Sequence, residues 1–277
     1  MNTEWWLGAV GSVDLAPVEA DVHAAEVRYS RFLRESALSQ LNRERRIHDA
    51  ELADLMRIAL AMHESTHGAF DVRVGAAMQA AGYDRTFEAL SYITTPVLTF
   101  APPASALRVE VREHETQLHG TGTLDLGGIA KGWTVDRAAE AIERAGCTDY
   151  LIDGGGDIRA AGYDERGAPW IVGVGEGLAV RLQDAAVCTS STRRRLWRTA
   201  GEDAHHIIDP ASGAPARHEV TDAVVVARDT TTADVIATTI IADSERGLAS
   251  ARALGAEALV LRAGYWEMTE GMRRWLI

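Results

Sequence analysis

The chain has 277 residues, 47% hydrophobic and 25% charged, the balance of a globular protein with core enough for one large or two ordinary domains. A formal charge of −12 argues against nucleic acid or an anionic membrane surface as the main partner, and no apolar run is long enough for a membrane span. Cys147 and Cys188 make neither a disulfide framework nor a metal-ligand cluster. Residues 1–30 lack a basic start followed by an apolar run, so a cytoplasmic location is expected.

Trp5 to Val13 reads as a first strand, and Val18 to Leu33 as a helix with Val18, Val22, Ala25, Tyr29 and Phe32 on its buried stripe. Glu35 to Asn42 reads as loop and turn. Ala50 to Glu64 is the next helix, stopped by Gly68, and a short helical piece ends at Ala81 before a Gly82-Tyr83 turn. Residues 94–104, with Pro96, Pro102 and Pro103, read as a surface loop and not as a domain boundary. Leu107 to Val111 and Thr116 to His119 form an expected hairpin.

Leu124 and Leu126 read as a strand end, Gly127-Gly128 as a turn, and Thr134 to Ile142 as a helix. Further strands are expected at Tyr150–Asp153, Trp170–Val174, Leu178–Leu182, Ala185–Thr189, His205–Asp209, Ala223–Ala227 and Ala258–Leu261. Helices are expected at Thr232–Ala242 and Ser244–Leu254. Hairpins and helices mix without a regular βαβ alternation, which predicts an α+β fold in one domain, residues 1–277.

Of the 28 Lys and Arg residues, only Lys131 is lysine. A lysine kept at one place in an arginine protein suggests a local need for a compact point charge. At a glycine turn opening a helix it can hold phosphate, or it can be a solvated lysine on a plain connection. The segment is not a Walker A loop, since no glycine precedes Lys131 and no Ser or Thr follows it. Asp234 and Thr238, four residues apart on a helix, can present carboxylate and hydroxyl to one hard cation, although Asp234 also suits a first helical turn. Of His205 and His206, adjacent on a strand, at most one can face a site.

His63-Glu64-Ser65-Thr66-His67 fits the zinc-protease pattern H-E-x-x-H, with Glu88 as a third ligand by position alone. Gly68 ends the helix at once, however, so a helix end rich in histidine is the simpler reading. The arginines at 193, 194, 195 and 198 read as a solvated face, and the glycines of Gly154-Gly155-Gly156-Asp157 allow close approach to a ligand.

In order along the chain, these pieces resemble the ApbE family of FAD:protein FMN transferases. The matching stretches are Ser30-Arg31-Phe32 with Glu35–Asn42, Gly68-Ala69-Phe70-Asp71 through Gly82-Tyr83, and Asp125–Gly132 followed by Asp136. Leu151–Asp157, Thr189-Ser190, His206–Pro210 and Ala233-Asp234 through Thr238 complete the series. Departures are Val10-Gly11-Ser12 where Met-Gly-Thr is frequent, and Phe32 where Tyr is common.

The resemblance implies an ApbE-type fold of mixed and antiparallel sheets packed by helices. It implies FAD held by Gly82, Tyr83, Asp125, Lys131, Thr189, His206 and Ile207. Magnesium would be bound by the Gly128 carbonyl, Asp234 and Thr238, and catalysis carried by Lys131, Asp234 and His206, with His206 as base or phosphate partner. The implied reaction moves FMN from FAD to a Ser/Thr hydroxyl of an acceptor protein bearing a D-x-x-[ST]-G-A-[ST]-like motif, and releases AMP. A magnesium-dependent FAD pyrophosphatase and a non-enzymatic FAD binder stay open as alternatives. Asp209 to Ala214 echoes the acceptor motif, but Pro215 breaks its last position and the segment reads as a turn.

Overall fold

The computed structural model describes residues 3–90, 101–175, 177–193, 195–199, 202–217 and 219–277. Pro96, Arg194 and the side chains of Glu88 and Arg198 lie outside the described residues. The chain begins with β1 (Trp6–Ala9), α1 (Ala16–Tyr29), α2 (Ala37–Glu44), β2 (Arg46–His48), α3 (Ala50–Ser65), α4 (Gly75–Ala80) and α5 (Phe87–Leu90). A hairpin of β3 (Leu107–Arg112) and β4 (Glu115–Gly120) precedes α6 (Ala130–Arg144). Then follow β5 (Tyr150–Asp153), β6 (Asp157–Ala161), β7 (Trp170–Gly175), β8 (Leu178–Leu182) and β9 (Ala185–Ser191). Short strands β10 (Leu196–Thr199), β11 (Glu202–His205), β12 (Ile208–Asp209) and β13 (Ala214–Pro215) lead to β14 (Val220–Ala227). The chain closes with α7 (Thr230–Ala242), α8 (Ser244–Ala253), β15 (Glu257–Arg262) and β16 (Tyr265–Met268).

The main sheet has seven strands in the order β1-β5-β6-β9-β14-β15-β16, and every neighbouring pair is antiparallel. Helices and antiparallel sheets are segregated, as an α+β fold requires. Strand β14 shows why the sheet sits between two layers. Ala223, Val225 and Ala227 pack with Ile236 and Ile240 of α7 on one face. Val224 and Val226 pack with Val172, Val180 and Leu182 of the β7–β8 hairpin on the other. Alternate residues of a strand point to opposite faces, so a continuous apolar run marks burial on both. A second sheet, β2-β4-β3, packs with α2, α3 and the Leu124–Ala130 segment around Leu41, Leu55, Met56 and Leu118.

Several elements differ from the sequence expectation. Glu35–Asn42 contains a helix, α2, capped by the Ser36 hydroxyl accepting from Ser39 N at 3.0 Å, with Leu38 and Leu41 fully buried. Leu124 joins no strand. It is held by the Asn42 side chain, which accepts from Leu124 N at 2.7 Å and donates to Leu124 O at 3.0 Å. One amide side chain thus does the work of a neighbouring strand. Helix α6 starts at Ala130, four residues before the expected Thr134, so Lys131 lies in its first turn. The apolar strand expected over His205–Asp209 is two pieces, because the chain breaks pairing at His206-Ile207.

Candidate active site

The position of the site follows from how α6 meets α7. Asp136 of α6 accepts from Thr230 N at 2.8 Å, Thr231 N at 2.7 Å and Thr231 Oγ1 at 2.5 Å, and so caps the start of α7 from outside. Asp229 completes the cap by accepting from Thr232 N at 2.7 Å. The two helices touch at Gly132, where a Cβ would lie 2.6 Å from Thr230 O and 3.0 Å from Asp234 Cβ. A glycine is needed there for backbone to meet backbone. This crossing brings the first turn of α6, with Lys131, against the first turns of α7, with Asp234.

Lys131 Nζ donates to Asp157 Oδ2, and both groups lie mostly out of solvent, 19% and 2% exposed. Burial on its own disfavours the ammonium, but the charges of Asp157 and Asp234 and the hydrogen bond outweigh it, so Lys131 titrates above the usual lysine range. Asp234 is 4% exposed and accepts from Gly132 N at 3.2 Å. Burial, then repulsion from Asp157, pushes its carboxyl up to about 7. Cys188, opposite Asp157 in the β6–β9 register, donates its thiol to Thr230 O at 3.5 Å. Burial and the same carboxylates push the thiol up, so it stays neutral.

Lys131 and Asp234 form the floor of a cleft of about 490 Å³, while Asp157 and Cys188 are buried behind its lining. Its lining includes Tyr83, Asp125, Gly128, Lys131, Thr189, His206, Ile207, Asp234 and Thr238. Gly82 alone among the residues expected from sequence is not on the wall. It takes φ +93 in the turn after α4, with its N–H on Gln79 O, and thereby turns Tyr83 inward. Arg195 also lines the cleft, whereas Arg193 pairs with Asp222 at 2.8 Å, so the arginine run is not simply a solvated face.

The two histidines part at the break between β11 and β12. His205 Nε2 meets Ala216 O at 2.7 Å, and its Nδ1 accepts from Ile207 N at 3.3 Å, which gives it a structural role. His206 faces the cleft with a buried Nδ1 that has no partner among the described residues. Burial, followed by the charges of Arg195, His205 and Lys131, lowers its pKa to about 3 and leaves the ring neutral.

The donors for a hard cation stand beside the lysine. A Cβ at Gly128 would lie 3.3 Å from Thr238 Oγ1 and 3.4 Å from the Phe70 ring, so the glycine keeps this corner open. Among the described residues Thr238 Oγ1 has only a long contact, 3.4 Å, to Ser190 Oγ. With Lys131 engaged by Asp157, the Asp234 carboxylate lacks a full countercharge. Carboxylate, hydroxyl and carbonyl oxygens at such a place fit magnesium.

The H-E-x-x-H segment is built for something else. His63 Nδ1 donates to Phe70 O at 2.8 Å, and its Nε2 accepts from Arg73 Nη2 at 3.0 Å. Both ring nitrogens are therefore in use. Among the described residues no three His, Cys, Asp or Glu side chains are grouped to hold a metal ion. The sequence reading missed Arg31, which lines the cleft, and Asp157, which lies behind the lining and pairs with Lys131. A lone buried lysine demands a counterion, and the acid ending the Gly154–Gly156 run was the available signal for Asp157.

Fold and cleft together define an enzyme with a buried lysine–carboxylate centre. The chain belongs to the ApbE family, whose model matches residues 1–260. Two relatives bear the name FAD:protein FMN transferase. The one from Vibrio cholerae serotype O1 is 27% identical over 239 residues, covering 81% of this chain and 72% of its own. The one from Treponema pallidum is 33% identical over 231 residues, covering 74% and 64%. Among solved structures, the ApbE protein from Thermotoga maritima superposes with TM-score 0.82 at 24% identity, over 96% of this chain and 93% of that one. The flavin transferase ApbE from Vibrio cholerae does so with TM-score 0.78 at 22% identity, over 99% and 96%. The fold is thus that of the solved flavin transferases, and the protein is an enzyme of the transferase class.

Proposed function

We propose that this enzyme transfers the FMN half of FAD to a serine or threonine hydroxyl of an acceptor protein and releases AMP, with magnesium required. The observation that carries the reading is the cleft floor, where Lys131, held from behind by Asp157, and the buried Asp234 stand beside a neutral histidine under an aromatic wall. A cleft of about 490 Å³ is in the range of ligand sites, and its polar floor and apolar wall suit a pyrophosphate between planar rings.

In the reaction the acceptor oxygen bonds to the FMN phosphorus, the P–O bond to the AMP phosphate breaks, and the hydroxyl gives up its proton. Lys131 supplies a fixed positive charge where the departing phosphate gathers negative charge. Asp157 holds that ammonium in place through their ion pair. Asp234 and Thr238, with the Gly128 carbonyl, would hold magnesium, which when bound neutralises charge on the pyrophosphate. His206 presents its free Nδ1 as hydrogen-bond partner of the hydroxyl. Entry of two phosphate charges opposes the arginine and lysine fields on His206 and raises its proton affinity toward that of a working base.

The acceptor is a protein carrying a D-x-x-[ST]-G-A-[ST]-like segment. Incubation with FAD, magnesium and a peptide of that pattern tests the reading by intact mass. A covalent FMN-sized addition to the peptide, with AMP in solution, is the expected result. Free FMN plus AMP with unmodified peptide makes the enzyme a pyrophosphatase, and intact bound FAD makes it a binder.

A further inference from the structure

Arg31 has no part in the chemistry above, yet it is built into the cleft. It lies two residues beyond α1, its side chain is 8% exposed, and its Nε lies 2.5 Å from Asp125 Oδ2. The other oxygen of Asp125 accepts from Gly127 N at 2.8 Å, which fixes the carboxylate. The guanidinium carbon stands 4.2 Å from the centre of the Phe32 ring and 4.6 Å from that of Tyr83. Behind Tyr83, Trp197 stacks at 5.2 Å and is pinned by its Nε1 donating to Ala81 O at 2.8 Å. Arg31 is therefore clamped by an ion pair on one edge and by aromatic faces. Its Nη2 is nevertheless buried and has no hydrogen-bond partner among the described residues. A buried donor on a charged group is rarely left unmet, and a site that uses one rejects ligands unable to accept from it.

Resting on the FAD reading above, we propose that Arg31 is a specificity-determining residue. Its Nη2 donates to an acceptor at the edge of one planar ring system of the dinucleotide, a ring carbonyl of the isoalloxazine or a ring nitrogen of the adenine. A fixed, in-plane donor beside an aromatic corner suits such an edge, whereas the pyrophosphate has Lys131 on the cleft floor.

The test is calorimetric titration of the parent and R31K with FAD, riboflavin, adenosine and inorganic pyrophosphate. Lysine keeps the charge opposite Asp125 and loses the second donor and the flat face. The paired change R31M/D125N, compared with D125N alone because Asp125 itself lines the cleft, serves as a second variant in which no buried charge is stranded, and melting temperatures are recorded for all. FAD affinity should fall about tenfold or more, the worth of one charge-assisted hydrogen bond, while pyrophosphate affinity stays unchanged. A parallel loss for riboflavin assigns the isoalloxazine, and one for adenosine assigns the adenine. Unchanged FAD affinity, or a loss that falls equally on pyrophosphate, overturns the role of Arg31 and leaves the FAD reading standing. A parent that does not bind FAD overturns both.

Discussion

Asp234→Asn should make the metal-free protein more stable while abolishing its activity. In the folded chain the carboxyl moves from its ordinary 3.8 up to about 7, because it is buried beside Asp157. Below pH 4 the group is protonated whether the chain is folded or not, and it contributes nothing. Between pH 4 and 7 the unfolded chain releases the proton and the folded chain keeps it, so stability falls as pH rises. Above about 7 the loss is complete. At about 1.4 kcal/mol per tenfold change in proton affinity, this corresponds to roughly 4 kcal/mol at most, and to ~2–4 kcal/mol when the neighbouring Asp157 bears a share. Asparagine carries no charge, and its oxygen can still accept from Gly132 N. In EDTA at pH 8 the variant should melt higher than the parent by roughly 5–10 °C, and at pH 4 the two should coincide. Thermal melts followed by circular dichroism decide this. A variant that melts level with or below the parent at pH 8 would show that the carboxylate is not the burdened group described here.

Three further outcomes follow from the same floor. Lys131→Ala should lower turnover of FAD by about 10²-fold, as loss of one well-placed electrostatic donor does, and Lys131→Arg should not restore it; steady-state assays at saturating magnesium measure both. Gly132→Ala puts a methyl 2.6 Å from Thr230 O, so α6 must move from α7, and both melting temperature and turnover should drop. Asp234→Ala should weaken magnesium binding, read by titration, far more than Thr238→Ala, because the carboxylate brings the only full charge among the proposed ligands.

How much of this was legible beforehand depends on range in sequence. The helices α3 and α7 and the run Ala223–Ala227 announce themselves through periodicity or unbroken apolarity over many residues. Helix α2 spans eight residues that mix Ser, Gln and Asn with two leucines, and its cap is visible only once Leu38 and Leu41 have a core to enter. The start of α6 and the break in pairing at His206-Ile207 are set by partners elsewhere. Asn42 substitutes for a strand at Leu124, and His205 bonds across to Ala216. The site divides in the same way. Lys131 stands out by its uniqueness, and Asp234 with Thr238 by helical spacing. Asp157 and Arg31 gain meaning only from the ammonium and the carboxylate they meet through space.

The most direct test of the central claim is a crystal structure of the protein with FAD and magnesium. The pyrophosphate should lie within hydrogen-bonding distance of Lys131 Nζ, the metal between Asp234 and Thr238, and the FMN phosphate opposite His206 Nδ1. FAD bound away from Lys131, or a metal that leaves Asp234 untouched, would contradict it.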